Sequence, residues 1–349
     1  MTNNCGDSRD RRGVILFNLG GPETLDDVRP FLFNLFSDPD IIRIKNDLLR
    51  KSLAWFIATT RQSKSKGLYR QIGGGSPLRK ITDGQASALQ TRLEQRGCPA
   101  RVYVGMRCWK PTIDEAIEQI RRDGIRHLIA LPLFPQFSVT TTGSCFNYLR
   151  KLVDRAGLRD TLDISYVDAW YNEPLYLESM ADLIREALGR FSDAAAGKPT
   201  LLYSAHSIPV RYVDEGDPYL EQTKKTVELI NARLGGLCPS ALAFQSKVGP
   251  VKWLGPPTND VLVDFGRRGV DRVLAIPISF VSDHIETLQE IDILYRQLAF
   301  DSGIREFQRS ASLNLYPKFI EALAEISLRT FSAMPEIQKP ATDYTDCTK

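Results

Sequence analysis

The chain has three histidines, so each can be weighed by its position. His206 ends the apolar run 200–205, where a buried strand would deliver an imidazole to a ligand. Its competing reading is a hydrogen-bonded structural histidine. His284 follows Asp283 at a helix start, where a capping role competes, and His127 opens a strand and reads as a packing residue. Asp283, Glu286 and Glu290 recur at helical spacing and would share one face of a helix over 285–297. Acids in a first helical turn complement the helix dipole. At a strand exit, the same line of carboxylates can guide or hold a cation. A neutral imidazole beside a carboxylate suits proton abstraction or transient metal handling. No H-E-x-x-H and no C-x-x-C occurs, which argues against a resident zinc ion.

Two further stretches carry chemical signals. Gly73-Gly74-Gly75-Ser76-Pro77 could cradle an anion through backbone N–H groups. It lacks the G-K-[ST] ending of a P-loop and the G-x-G-x-x-G spacing, so nucleotide binding is not expected. Arg61, Tyr69, Arg70 and Ser76 lie near it in sequence and suit a carboxylate. Residues 31–42 are oily: Phe31, Leu32, Phe33, Leu35, Phe36, Ile41 and Ile42. They read either as an ordinary buried helix face or as an exposed apolar lip for a large flat ligand or a membrane surface.

The elements that must position these groups alternate. Apolar runs at 13–19, 101–106, 127–134, 162–167, 200–205, 242–246 and 272–280 read as strands buried on both faces. Amphipathic stretches at 112–122, 144–155, 174–190, 219–233, 258–267 and 285–297 read as the helices between them. Such alternation predicts an α/β fold with parallel sheets. A weak internal repeat sharpens it. Counted from Gly124 and Gly269, Ala130 and Pro132 fall at the same offsets as Ala275 and Pro277. We therefore expect two related α/β lobes, at 13–165 and 166–305, whose strand-exit loops line one cleft if the lobes face each other. The first would carry the segment 31–42, and the second His206 and the acidic helix. A C-terminal helical segment at 306–333 and a flexible tail at 334–349 would follow. In such sheets, ligands bind beyond the carboxyl ends of the strands.

Composition bounds the rest. The 349 residues suit two domains, and 43% hydrophobic with 25% charged residues is ordinary globular usage. Forty-five basic against 42 acidic residues leave +3, which argues against a dedicated nucleic-acid binder. No apolar run reaches the ~18–20 residues that span a bilayer, and the N-terminus lacks a secretory apolar region. Six scattered cysteines point to a cytoplasmic protein with free thiols.

NLGGPET, YRQIGGGSPL, SAHSIP, QSKVGPVKWLGP and SDHIETLQEID appear in this order. Together they resemble the ferrochelatases, lyases that insert Fe²⁺ into a porphyrin in haem biosynthesis, over about residues 14–328. The resemblance implies two Rossmann-like lobes around a porphyrin cleft, in agreement with the repeat. It implies that His206 takes the pyrrole protons and that Glu286 stands across the macrocycle, both also touching the metal. Asp283, His284 and Glu290 would be further metal-handling groups. Leu19, Arg107, Trp253 and Phe280 would lie near the macrocycle, and Arg61, Tyr69 and Ser76 would hold propionates. Residues 31–42 would form the lip and the point of any peripheral membrane contact. Cys108 stands where an aromatic residue is common in the family, Leu19 where Met is common, and Phe134 and Phe137 where tyrosines occur. Some members carry a [2Fe–2S] cluster on closely spaced C-terminal cysteines. Only Cys347 lies there in this chain, so no cluster and no other permanently bound cofactor are expected. The oily lip and the Arg61/Ser76 pair favour the two-propionate protoporphyrin IX over coproporphyrin III. The competing readings are a chelatase for another divalent metal and tetrapyrrole, and a non-catalytic tetrapyrrole carrier of the same fold.

Overall fold

The computed structural model describes residues 11–192, 197–247, 249 and 251–334. The expected tail beyond residue 334, Cys5 and Cys347 lie outside these residues. Two parallel four-stranded sheets form the frame. β1 (Arg12–Asn18), β2 (Arg101–Met106), β3 (His127–Pro132) and β4 (Asp163–Tyr166) pair in the order β2-β1-β3-β4. β5 (Thr200–His206), β6 (Ser240–Gln245), β7 (Arg272–Pro277) and β8 (Glu306–Arg309) pair in the order β6-β5-β7-β8. β3 and β7 are buried along their whole length. Side chains on both faces are therefore apolar, which is why these strands read as unbroken hydrophobic runs.

Helices cover the faces. In the first lobe, α1 (Val28–Ser37), α2 (Asp47–Gln71) and α3 (Leu78–Gln95) lie between β1 and β2. α4 (Ile113–Arg122) follows β2 and opens on a capping box, in which Thr112 and Glu115 satisfy each other's backbone N–H groups. α5 (Ser144–Arg155) and α6 (Pro174–Leu188) flank β4. In the second lobe, α7 (Val210–Asp214) and α8 (Tyr219–Arg233) follow β5, and α9 (Thr258–Arg267) precedes β7. α10 (Arg296–Asp301) precedes β8, and α11 (Pro317–Ala333) packs on α3 and α6. One apolar cluster runs from Val14, Leu89 and Ile129 through Ile184 to Tyr203, Ile276 and Leu323, so the two sheets share a continuous core.

Several expectations are corrected. β8 completes the second sheet just beyond residue 305, so the stretch 306–333 opens with a strand. Four residues of mixed polarity carry too little periodicity to reveal it. The long α2 and α3 were not expected. α2 leaves Leu48, Leu49, Trp55 and Phe56 exposed, so its apolar residues do not follow a core-facing stripe. Within residues 31–42, Phe31 and Leu32 are buried against Ala58, Tyr69 and Cys108, whereas Phe33, Leu35, Phe36, Ile41 and Ile42 are half-buried. The glycine run is not an anion cradle. The N–H groups of Gly74 and Ser76 donate to the carbonyls of Tyr69 and Pro22, at 2.9 and 2.7 Å. A Cβ on Gly75 would sit 2.0 Å from the Glu23 carbonyl oxygen, so glycine is needed there for close chain approach.

The acidic segment is not an α-helix. Glu286–Tyr295 forms a π-helix that runs into α10. A shorter π-helix, Val139–Gly143, occupies the corresponding place after β3. The wider turn changes which carboxylates face together. Such segments interrupt the usual hydrogen-bond ladder and recur at functional sites.

Candidate functional site

His206 is the last residue of β5. Its Nδ1 is buried without a hydrogen-bond partner. Burial pushes the imidazole below its ordinary 6.5, against the attraction of Glu286 and Glu290, and nearby His284 adds to the depression. A ring in this state is neutral at pH 7 and has a nitrogen lone pair to offer. The Phe280 ring meets His206 edge-on at 5.9 Å and His284 at 4.4 Å, so it stands between the two imidazoles.

His284 is fixed at both nitrogens. Its Nδ1 lies 2.8 Å from the Ser282 carbonyl and its Nε2 lies 3.1 Å from Glu286 Oε2. A carbonyl only accepts, so Nδ1 carries hydrogen. Glu286 starts the π-helix, and its carboxyl is about a quarter exposed.

The other two carboxylates are already spent. Asp283 accepts from Arg309 at 3.1 Å, Ser312 at 2.8 Å, Asn314 at 2.8 Å and Thr287 at 3.0 Å. Burial would raise its pKa, yet Arg309 and the three polar donors outweigh burial and hold it below the ordinary 3.8. Arg309 also pairs with Asp292 of the π-helix at 2.9 Å. Glu290 accepts from the Gln245 amide, the Ser246 N–H, the Ser246 hydroxyl and the Tyr295 hydroxyl, all within 3.0 Å. Ser246 adopts a left-handed backbone, φ 65°, to present both groups. The structure thus separates Glu286, which faces the imidazoles, from Asp283 and Glu290, which brace the π-helix.

The first lobe supplies an apolar wall. Leu19, at the exit of β1, packs with Trp109 and Ile285 against the cluster of Phe31, Leu32 and Tyr69. The Tyr69 hydroxyl is buried and near enough to Glu286 that both effects push its pKa up, burial the more. It therefore sits within electrostatic reach of the acid. Arg61 stacks over Phe36 at 5.7 Å, and no described carboxylate pairs with it. The Ser76 hydroxyl accepts from the Leu78 N–H at 3.3 Å. Arg107 is committed within its own lobe. It pairs with the fully buried Asp38 at 3.0 Å, donates to Ser144 at 2.8 Å and stacks on Tyr148 at 4.4 Å. Trp253 bridges to Pro209, next to the His206 exit, and its indole N–H is buried without a partner. Gln71 of α2 meets Gln289 of the π-helix at 3.2 Å, which ties the two lobes together over the site.

Sequence reasoning missed the bracing residues: Gln245, Ser246, Tyr295, Arg309 and Asp38. Gln245 and Ser246 stood in view in QSKVGP, immediately after a strand. Arg309 carried no signal, because its partners lie 17 and 26 residues away. Among the described residues, no group of three or more His, Cys, Asp or Glu side chains is arranged to hold a metal ion.

The family model for ferrochelatase matches residues 11–330. The ferrochelatase of Gloeothece citriformis is 50% identical over 335 residues, covering 95% of this chain and 86% of that protein. That of Synechocystis sp. is 49% identical over 326 residues, covering 93% and 84%. Among solved structures, SirB from Bacillus subtilis with Fe3+ superposes with a TM-score of 0.54 at 10% identity, covering 93% of this chain and 96% of that one. The sirohydrochlorin chelatase SirB from Bacillus subtilis subspecies spizizenii, in complex with cobalt, gives 0.52 at 12% identity, covering 92% and 95%. At those identities the likeness is one of fold.

Proposed function

The chain belongs to the ferrochelatase family, and from that premise we propose how its residues divide the reaction. It is a lyase of haem biosynthesis whose substrates are a porphyrin and Fe²⁺. Two pyrrole N–H bonds break, two Fe–N bonds form in addition to two donated lone pairs, and two protons leave. The proposal assigns the first proton acceptance to His206. The carrying observation is a buried neutral imidazole whose Nδ1 has no protein partner, at a strand exit facing Phe280.

Glu286, oriented by His284, is the carboxyl that meets the macrocycle and the incoming metal. Weak oxygen and imidazole ligands suit an ion that must be released into the ring. Asp283 and Glu290, whose oxygens already accept from protein donors, act by holding the π-helix in place. Leu19, Trp253 and Phe280 form rigid walls for a bent macrocycle, at a strain of about 1–5 kcal/mol drawn from binding. Arg61, free of carboxylate partners, and Ser76 hold the propionates, which favours protoporphyrin IX. Tyr69 belongs with Glu286 rather than with the propionates, and Arg107 holds α1 in place through Asp38.

We further read the enzyme as cluster-free, since a [2Fe–2S] centre normally takes four thiolates and only Cys347 lies near the C-terminus. A [2Fe–2S] centre would show in the visible spectrum after anaerobic reconstitution. No described helix is long and apolar enough to cross a membrane. Any peripheral membrane contact would use the exposed Leu48, Leu49, Trp55 and Phe56 of α2 together with the half-buried apolar residues of 31–42.

The deciding experiment is turnover with Fe²⁺, Zn²⁺ and Co²⁺ on porphyrins of two and four propionates. The expected result is insertion of Fe²⁺ into protoporphyrin IX, with Arg61→Ala raising the porphyrin KM. Preference for the four-propionate substrate would overturn the Arg61/Ser76 assignment. No turnover with any metal, alongside tight porphyrin binding, would make the protein a carrier.

A further inference from the structure

His206 lies where its sheet has stopped on one side. Its neighbour Ser207 donates to Gln245 on β6, so the backbone of His206 itself faces β7. β7 ends at Pro277, level with Ser204, and the last ladder contact is the Ile278 N–H to Ser204 O at 3.2 Å. Both backbone groups of His206 would be left unpaired in a buried place, at a cost of about 1–3 kcal/mol each.

Two side chains take over. The His206 N–H donates to Ser279 Oγ at 3.3 Å. The Tyr219 hydroxyl donates to the His206 carbonyl at 2.8 Å and lies 2.6 Å from Ser279 Oγ. Proton counting allows one arrangement. The carbonyl only accepts, so the single Tyr219 hydrogen points to it, and the Ser279 hydrogen must point to Tyr219. The result is a closed ring: His206 N–H to Ser279, Ser279 to Tyr219, Tyr219 to His206 C=O. Each member donates once and accepts once, which favours mutual strengthening. The Tyr219 ring is buried, and its backbone N–H donates to Asp217 at 3.0 Å. Asp217 in turn accepts from Ser138 and the Val139 N–H at the first-lobe π-helix, at 2.9 and 2.8 Å.

We propose that Tyr219 and Ser279 are positioning residues for His206. Their hydroxyl ring replaces the missing strand and sets where the imidazole stands against the macrocycle. The inference rests on the assignment of His206 as proton acceptor. Neither residue needs to touch substrate.

The test compares Tyr219→Phe, Ser279→Ala, Ser279→Thr and the Phe/Ala double variant, each with His206 intact and in a His206→Ala background. The readouts are kcat, KM for Fe²⁺ and for protoporphyrin IX, porphyrin binding by fluorescence, and Tm. With His206 intact, either ring-breaking variant should lower kcat about tenfold or more, the scale of a misplaced catalytic group, while both KM values hold. The double variant should fall no further than a single one, because one break opens the ring. Ser279→Thr keeps the hydroxyl and should restore kcat. In the His206→Ala background, none of these changes should lower the residual rate further. Wild-type kcat in Tyr219→Phe and Ser279→Ala, with only Tm lowered, overturns the positioning role. Near-normal turnover of His206→Ala overturns the base assignment instead, so the two failures are distinguishable. Should Tyr219→Phe fail to fold, Ser279→Ala against Ser279→Thr decides alone.

Discussion

The two lobes share one plan and use it differently. Each places its strands in the same order, with β1 and β5 central. The third strands, HLIALP and RVLAIP, follow left-handed glycines, Gly124 and Gly269, and end on prolines. Met106 donates to the Pro111 carbonyl at 2.7 Å, and Phe244 donates to that of Pro256 at 2.9 Å. A π-helix follows the third strand in both. The contents of the exits differ. β1 leads into Leu19 and an apolar cluster, whereas β5 ends in His206. The first π-helix reads VTTTG and has no acid; the second reads ETLQEIDILY. The shared frame fixes where side chains emerge, and a few residues at the exits decide which lobe is a wall and which carries titratable groups.

The sharpest way to break this contrast is to truncate the equivalent exits. His206→Ala should lower kcat by about 10²–10⁴-fold, the usual worth of a positioned base, with porphyrin still bound. Leu19→Ala should raise the porphyrin KM and lower kcat by far less, since it removes one of three walls and no proton acceptor. Similar kcat losses in both variants would mean that the first lobe also takes part in chemistry.

Next in size is a device that both lobes possess. Arg107 neutralises buried Asp38 in the first, and Arg309 neutralises Asp283 and Asp292 in the second. Removing Arg107 strands a buried carboxylate, at a cost of about 3–5 kcal/mol; removing Arg309 leaves two partly exposed ones, and Asp283 keeps three other donors. Arg107→Ala should therefore lower Tm strongly and Arg309→Ala less. Only Arg309→Ala should also lower kcat when assayed below its melting point, because Asp283 adjoins His284, which contacts Glu286. Equal kcat losses would assign Arg107 to the substrate, as its position in the sequence implied.

What could be read from the sequence follows the same division. Doubly buried strands announce themselves, since their composition is dictated on both faces, and the repeat was visible through Ala130/Pro132 and Ala275/Pro277. The strand exit that carries His206 was legible, because the apolar run before it marks the strand's end. The bracing of Glu290 was not, since its four donors come from Gln245 at the end of β6, from Ser246 just after it and from Tyr295, and helical spacing alone made it resemble Glu286. The π-helix was hidden for a related reason: Gln245 reaches across to the Glu286 carbonyl, a long-range contact that no local pattern encodes. α2 escaped because its apolar residues do not face the core.

A smaller effect separates the two glutamates of the π-helix. Glu290→Gln replaces an oxygen that accepts with an amide that donates, facing groups that already donate. It should cost about 1–3 kcal/mol through an unsatisfied buried group, read as a lower Tm. An unchanged Tm with a raised KM for Fe²⁺ would instead put Glu290 on the path that iron takes.

The smallest expected effect is in the pH dependence of stability, and its sign follows from His206. Burial holds the native imidazole below the ordinary 6.5, despite Glu286 and Glu290. The unfolded chain gains its proton near ~6.5, while the native protein gains it only at lower pH. Below ~6.5 the unfolded state thus binds more protons, so stability falls as pH falls. Above that value neither state is protonated there and the group contributes nothing. Asp283 carries the same sign at lower pH: its native value lies below 3.8, so its contribution is lost only in stronger acid, outside this window. Tm measured from pH 7.5 down to 5 should therefore drop more in the wild type than in His206→Gln, which has no proton to gain. The kcat of the wild type should hold through pH 6.5 and fail only below it. Parallel Tm curves for the two proteins, or a rate already failing above pH 6.5, would mean that the imidazole is solvated, and the contrast between a dry basic exit and an apolar one would lose its chemical half.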